Sequence, residues 1–250
     1  YTPKQYLALT RAIARPHGMI LLTGPTGSGK TVSLYSCLRR LNDTSRNIVT
    51  IEDPVEIRLP GLTQVNLNER AGLDFATALR AFLRQDPDVL VVVEIRDAQT
   101  AEIAVQAAQT GHLVFATVHA NDAPGTLARL FDLGVAPFNL SSTLLLISAQ
   151  RLLRRRCPAG CEPNRARETA TRAGHACMRC HDTGFAGRIG AFQVMPISPT
   201  QATNIAQARS PHELAAQAES EGVMSLREAG LWHAASGTVS REDVDAITPA

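Results

Sequence analysis

The sequence predicts an α/β fold built on a parallel sheet, and three observations carry that prediction. Short apolar runs recur at 19–23, 48–52, 89–93 and 113–118, each followed by a turn and a segment of helical period. The helical segments between them cover 31–41, 75–84 and 98–109, and strands that alternate with helices pair in parallel. The nearly unbroken Val89-Leu90-Val91-Val92-Val93 fits a strand covered on both faces, as inner strands of such sheets are.

In chain order, a helix is expected first at 4–15. It opens almost at Tyr1 rather than after a Met, so the chain reads as a piece of a longer protein. After the four strand–helix units, two further helices are expected at 123–133 and 139–154. The stretch 157–190 differs in character, with four of the five cysteines and several Gly, Pro and Arg, and reads as a small inserted subdomain. From Pro199 onward Ser210, Ser225 and Ser240 are N-cap signals for short helices, and Glu213 and Glu228 follow the first two by three residues, the spacing of a capping box. The expected organisation is a nucleotide-binding core at 1–156, the cysteine subdomain at 157–190 and a C-terminal helical region at 191–250 packed on the core.

At 250 residues and 44% hydrophobic content the chain can bury a core without help from disulfides. Lys and Arg number 25 against 23 Asp and Glu, so no global field advertises nucleic acid as an obligatory partner. No apolar run approaches the roughly 18 residues of a membrane span, and the segment reads as soluble and cytoplasmic.

The stretch GPTGSGKT at 24–31 satisfies G-x-x-x-x-G-K-[ST] with a strand before it and a helix after it. Glycines let the backbone N–H groups of Gly24, Thr26, Gly27, Ser28 and Gly29 curl round phosphates at a helix N-terminus, and Pro25, which has no N–H, shapes the turn. Lys30 reaches the terminal phosphates and Thr31 offers a hydroxyl to magnesium, so ATP with Mg2+ is the expected ligand pair. A carboxylate must face this loop, because magnesium needs more oxygen ligands and the attacking water must be oriented. Glu94, at the end of the 89–93 strand, meets that need at the edge where such sheets bind ligands. Glu52, Asp53 and Glu56 form a second acidic cluster, and carboxylates so close together call for a cation or Arg among them, hence a place near the metal. His112 and His119 bracket the fourth strand, with Thr117, Asn121 and Asp122 near the second of them, which points to nucleotide sensing by His119.

Cys157-x3-Cys161 and Cys177-x2-Cys180 are two close pairs, and thiolates at such spacing suit tetrahedral zinc. His175 or His181 could replace one thiolate. A site with four protein ligands has no open position, so this Zn2+ is structural. Cys37 stands apart as a small buried apolar residue. Arg151, Arg154, Arg155 and Arg156 precede the cysteines and read as a solvated face, with a neighbouring subunit or anionic lipid headgroups as the functional alternative.

TIEDPVE at 50–56, LRQDPDVLVVVEIRD at 83–97 and TGHLVFATVHANDA at 110–123, with the glycine-rich loop, closely resemble the Asp box, Walker B region and His box of the secretion ATPase superfamily. More narrowly, the chain resembles the assembly ATPases of type II secretion and type IV pili, and the likeness extends through AQRLLRRRCP at 149–158, the second cysteine pair and GRIGAF at 187–192. The resemblance implies a RecA-like hexameric motor that works at the inner membrane surface through secretion or pilus platform proteins. It implies that Lys30 and Thr31 bind nucleotide and magnesium, that Glu56 and Glu94 act on water and metal, and that His112 and His119 couple nucleotide state to shape. A four-cysteine subdomain is typical of the secretion and pilus-extension members and generally absent from pilus-retraction ones. The family also carries an upstream domain that supplies arginines to the nucleotide, so the 250 residues alone are expected to bind ATP, turn it over slowly and stay monomeric.

Two positions depart from the family pattern. Val93 stands where a Gly usually precedes the Walker B Glu, and Gln193 where an acidic residue commonly follows the GRxG segment. The alternatives to a secretion motor are a nucleic-acid motor or DNA-uptake ATPase of the same superfamily, and a nucleotide-binding scaffold without turnover. Aromatics at 4% leave few platforms for base stacking, and nucleic acid is accordingly not the expected partner.

Overall fold

The computed structural model describes residues 1–161 and 177–248. Among them, one seven-stranded sheet contains β1 Gly18–Thr23, β2 Ile48–Glu52, β3 Thr63–Asn66, β4 Val89–Val92, β5 Leu113–Val118, β6 Leu144–Arg156 and β7 Phe185–Pro196. In space they run β3-β2-β4-β5-β1-β6-β7, and neighbours pair in parallel except β6 with β7.

Strands β1, β2, β4 and β5 are buried at every residue, because helices cover both faces. Successive side chains alternate between the two sides. Met19, Leu21, Val49, Ile51, Leu90 and Val92 join the cluster containing α3 Phe75–Phe82, α4 Ala98–Gln109, α5 Ala123–Asp132 and α6 Pro137–Thr143. Ile20, Leu22, Ile48, Val89 and Val91 pack with α1 Pro3–Ile13 and α2 Lys30–Leu41. Each such side chain contributes about 1.5–3 kcal/mol by leaving water, which makes this two-sided layer the stable frame of the site.

Helix starts are set by short polar side chains. Thr2 and Gln5 form a capping box on α1, Asp74 and Asp97 cap α3 and α4, and Asp122 caps α5. Ser210, Ser225 and Ser240 cap the helices Pro211–Ser220, Leu226–Ala235 and Arg241–Ile247, and Glu213 and Glu228 complete capping boxes as their spacing predicts.

One expected element is replaced. Instead of a helix over 139–154, α6 ends at Thr143 and β6 runs from Leu144 through Arg156. The run Leu144–Leu146 followed by Ile147 has no period that separates strand from helix. What decides is the open edge of β1, which pairs with Leu144–Ala149, while residues 146–156 pair with β7 on the other side.

The far half of the β6–β7 hairpin carries its own small core of Leu153, Ala191, Ala229, Val239 and Val244. Asp243 ties that core together. Its carboxylate, 2% exposed, accepts the Arg154 backbone N–H at 2.6 Å and the Arg154 Nε–H at 2.6 Å. Arg154 also lies over the Phe185 ring at 4.1 Å. Asp243→Ala is expected to lower stability by about 1–3 kcal/mol, since it leaves a strand N–H without its acceptor. Urea unfolding reads this directly, and an unchanged midpoint would contradict it.

Candidate active site

The carboxyl ends of the central strands meet along one edge. There β1 gives way at Gly24 to the glycine-rich loop, and α2 starts at Lys30. Gly24 has φ +144°, and a Cβ on it would stand 2.5 Å from the Gln150 carbonyl and 2.6 Å from Ser28 Oγ, so no other residue fits. Gly27 and Gly29 also have positive φ, +77° and +88°, with Gly29 at the N-cap of α2. Pro25, Thr26 and Gly27 form the exposed rim, Ser28 is buried, and Thr31 lies in the first turn of α2. A helix start with such a loop presents N–H groups that have no intrahelical acceptor, a cradle suited to an anion.

Lys30 bends back over the loop and donates to Gly24 O at 2.6 Å and Pro25 O at 3.2 Å. Burial holds its pKa below the ordinary lysine value, opposed by the charge of Glu94 and reinforced by Arg151. Glu94, just beyond β4, is bound at both oxygens: Oε1 lies 3.0 Å from His119 Nε2, and Oε2 accepts from Arg96 at 2.6 Å. The Arg96 hydrogen bond lowers the Glu94 pKa against the opposing effect of burial, and His119, Arg96 and Lys30 add to the lowering by charge. Glu94 is therefore an ionised carboxylate at neutral pH beside a lysine and a helix start. Such a group can ligate a hard cation or orient a water.

The two histidines separate. His119 joins the site, whereas His112 lies at the opposite end of β5, with Nδ1 3.0 Å from Ala107 O and 3.3 Å from Thr110 Oγ1. Seven residues of extended chain place them roughly 20 Å apart. The acidic cluster also divides, which corrects the expectation of three carboxylates near one metal. Glu52 points into the core, 1% exposed, and accepts from the Tyr35 hydroxyl, from Thr50 Oγ1 at 2.6 Å and from Gln64 Nε2 at 3.1 Å. Burial, and then Glu52, pushes the Tyr35 phenol up to about 12. Asp53 stays on the site side, 3.9 Å from Arg96. Glu56 is exposed on the loop after β2, outside this network among the described residues.

The arginine run does not form one solvated face, because a strand alternates its side chains. Arg151 turns to the site and donates to Asn121 O at 2.9 Å, Arg154 pairs with Asp243, and Arg155 and Arg156 are exposed. Arg96 and Gln150 are site residues that the sequence does not single out, and Arg151 is one that it places on a solvated face instead. All three lie within quoted motifs, and the signal that would separate Arg151 from Arg154 is the period of a strand. The two departures from pattern fit locally. Val93 donates its N–H to Ile51 O at 3.2 Å and accepts from Thr117 Oγ1, with no positive φ. Gln193 accepts the Ala123 N–H at 2.8 Å and so holds the start of α5.

At the tip of the hairpin Cys157, Cys161, Cys177 and Cys180 place all four Sγ atoms within 4.8 Å of one another, with Cys157 and Cys177 3.9 Å apart and no disulfide. Zinc–sulfur bonds of about 2.3 Å at tetrahedral angles need sulfurs about 3.8 Å apart, so the quartet fits. Backbone N–H groups of Arg179 and Cys180 lower the pKa of the Cys177 thiol, whereas the neighbouring thiols raise that of Cys161 and burial raises that of Cys180, as expected of thiols crowded together without a cation. His181 is not part of the quartet, and His175 lies outside the described residues. Cys37 is buried on α2, its thiol pushed up to about 11 by burial.

A family model described as "Type II/IV secretion system protein" matches residues 1–246. The chain belongs to that family. Among its members, the chain is 48% identical over 259 residues to the type IV pilus assembly ATPase PilB of Pseudomonas aeruginosa, covering 97% of this chain and 45% of that protein. It is 46% identical over 240 residues to the type II secretion system protein HxcR of the same organism, covering 96% of this chain and 50% of that one. The chain thus spans about half the length of the curated relatives it matches. The solved structure of the pilus retraction motor PilT with bound ADP superposes with a TM-score of 0.78 at 30% identity, over 97% of this chain and 64% of that one. The ATPase DotB of Legionella pneumophila shares the fold, with a TM-score of 0.71 at 24% identity over 96% of this chain and 62% of that one. Among the described residues no helix is long and apolar enough to cross a membrane.

Proposed function

We propose that this chain is the ATP-hydrolysing motor domain of a protein that powers type II secretion or type IV pilus assembly, with a RecA-like P-loop core. The observation that carries the reading is the convergence of Lys30, Glu94, His119 and Arg151 on a glycine-rich helix start. The ADP in the structure of PilT and the names of the relatives support it.

In this reading the backbone N–H groups of Thr26 to Thr31 cradle the phosphates, and Lys30 exchanges its loop carbonyls for phosphate oxygens. The Thr31 hydroxyl and Glu94 would hold magnesium, which would supply positive charge against that developing on the transferred phosphoryl. Glu94 is the carboxylate that orients the attacking water, and His119, bonded to Glu94, senses its state. The longer protein assembles as a homo-hexamer, cytoplasmic and held to the inner membrane by platform proteins, with anionic lipid as a further contact for the exposed Arg155 and Arg156. The test is magnesium-dependent phosphate release from ATP by the purified protein, with and without DNA. Slow release that DNA leaves unchanged is expected. Clear stimulation by DNA would favour the nucleic-acid motor, which the relatives do not support, and no release at saturating ATP would leave a scaffold without turnover.

The four cysteines hold one structural zinc that closes the tip of the β6–β7 hairpin. Chelation is expected to remove one zinc per chain and loosen this tip, while the nucleotide core, with its own buried layers, stays folded. Metal analysis of protein purified reduced and without chelator checks it, and a stoichiometry near zero refutes the site.

A further inference from the structure

We infer that Gln150 is a positioning residue for the phosphate cradle: its side-chain amide fixes the Ser28–Gly29 peptide so that the Gly29 N–H faces the nucleotide. The inference rests on the nucleotide-site reading above and names a residue that reading does not use.

Gln150 lies on β6 immediately after Ala149, which pairs with Thr23, so it stands beside the point where β1 becomes the loop. Its side chain is buried, 1% exposed, and Nε2 donates to Ser28 O at 2.7 Å. A carbonyl can only accept, so the NH2 end of the amide must face it. The peptide is planar and trans, with its C=O and the following N–H pointing in opposite directions. Drawing the Ser28 carbonyl into the core toward Gln150 therefore aims the Gly29 N–H outward, at the N-cap of α2 where an anion binds.

Two glycines of the loop make room for this contact. A Cβ on Gly24 would meet Gln150 O at 2.5 Å, and one on Gly29 would meet Gln150 Nε2 at 3.2 Å. Among the described residues Gln150 Oε1 and Ser28 Oγ make no hydrogen bond, so Ser28 O is the one partner of the buried side-chain amide. A methionine would fill nearly the same volume but would leave the buried Ser28 carbonyl without its donor, so what the amide adds beyond packing is a fixed orientation of the Ser28–Gly29 peptide. The next residue extends the link, since Arg151 donates to Gln150 O at 3.3 Å and to Asn121 O at 2.9 Å, two residues beyond His119.

The test compares Gln150→Met and Gln150→Asn with the unaltered protein, reading affinity for magnesium ADP by calorimetry and the unfolding midpoint without nucleotide. Methionine has no donor, and asparagine keeps the amide but withdraws it by one methylene. Expected is a Kd about tenfold higher or more in both variants, measured well below either unfolding midpoint so that the protein titrated is folded. A residue that merely packs would lower the midpoint and leave the affinity of the folded protein unchanged. Affinity within twofold of the unaltered protein in either folded variant overturns the inference, as does loss of affinity only in step with a falling midpoint in both. If the unaltered protein itself binds no magnesium ADP, the nucleotide-site reading fails first; if it binds and the variants match it, the positioning role alone fails.

Discussion

Lys30→Ala abolishes ATP hydrolysis in the expected outcome, with turnover reduced by at least about 10²–10³-fold. The ammonium is the protein's main counter-charge at the loop, already half-withdrawn from water and acting on the same space as Glu94. Its present acceptors, Gly24 O and Pro25 O, are neutral carbonyls, which a phosphate oxygen displaces readily because a charged acceptor makes the stronger hydrogen bond. Without Lys30 the negative charge that spreads over the phosphoryl oxygens loses its nearest fixed cation, and water cannot replace it at the same geometry. Steady-state phosphate release measures the effect. Turnover within a few-fold of the unaltered protein would remove the loop from the catalytic account.

Glu94→Gln separates binding from chemistry. The amide keeps the shape of the side chain, so affinity for magnesium nucleotide is expected to stay within a few-fold, while hydrolysis falls about 10²–10⁴-fold. The reason is charge rather than size. Glu94 meets Arg96 on one oxygen and His119 on the other, and the Arg96 hydrogen bond keeps its pKa below the ordinary carboxylate value against the effect of burial. A glutamine offers at most one acceptor oxygen and no charge to metal or water. Equilibrium titration with ADP beside single-turnover hydrolysis reads the two steps apart. A variant that no longer binds nucleotide would make Glu94 a structural anchor for Arg96 and His119 instead.

Much of the frame is legible from local chemistry. The β1, β2, β4 and β5 runs are apolar on both faces, a pattern that short central strands leave in any chain, and the capping serines mark their helices by hydrogen bonds that span three residues. The glycine-rich loop is legible for the same reason, since positive φ at Gly24, Gly27 and Gly29 is a requirement carried by the residues themselves. The cysteine quartet is legible in part, because paired spacing predicts metal while the closeness of the two pairs depends on the hairpin that joins them.

What the sequence by itself determined, then, is the layered α/β frame, the loop and its lysine, the strand that delivers Glu94, and a set of thiols suited to zinc. Tertiary structure alone decided which carboxylates and cations share the site. Glu52 and Asp53 are adjacent in sequence, yet opposite faces of one strand end send Glu52 to Tyr35 in the core and leave Asp53 near Arg96. The stretch after Thr143 becomes a strand because β1 and β7 offer backbone partners on both sides, and that pairing turns Arg151 to His119's neighbourhood, Arg154 to Asp243 and Gln150 to the underside of the loop. Such contacts join residues more than a hundred positions apart in the case of Gln150 and Ser28, and no local pattern encodes them, because their energy exists only once the sheet has brought the two segments together.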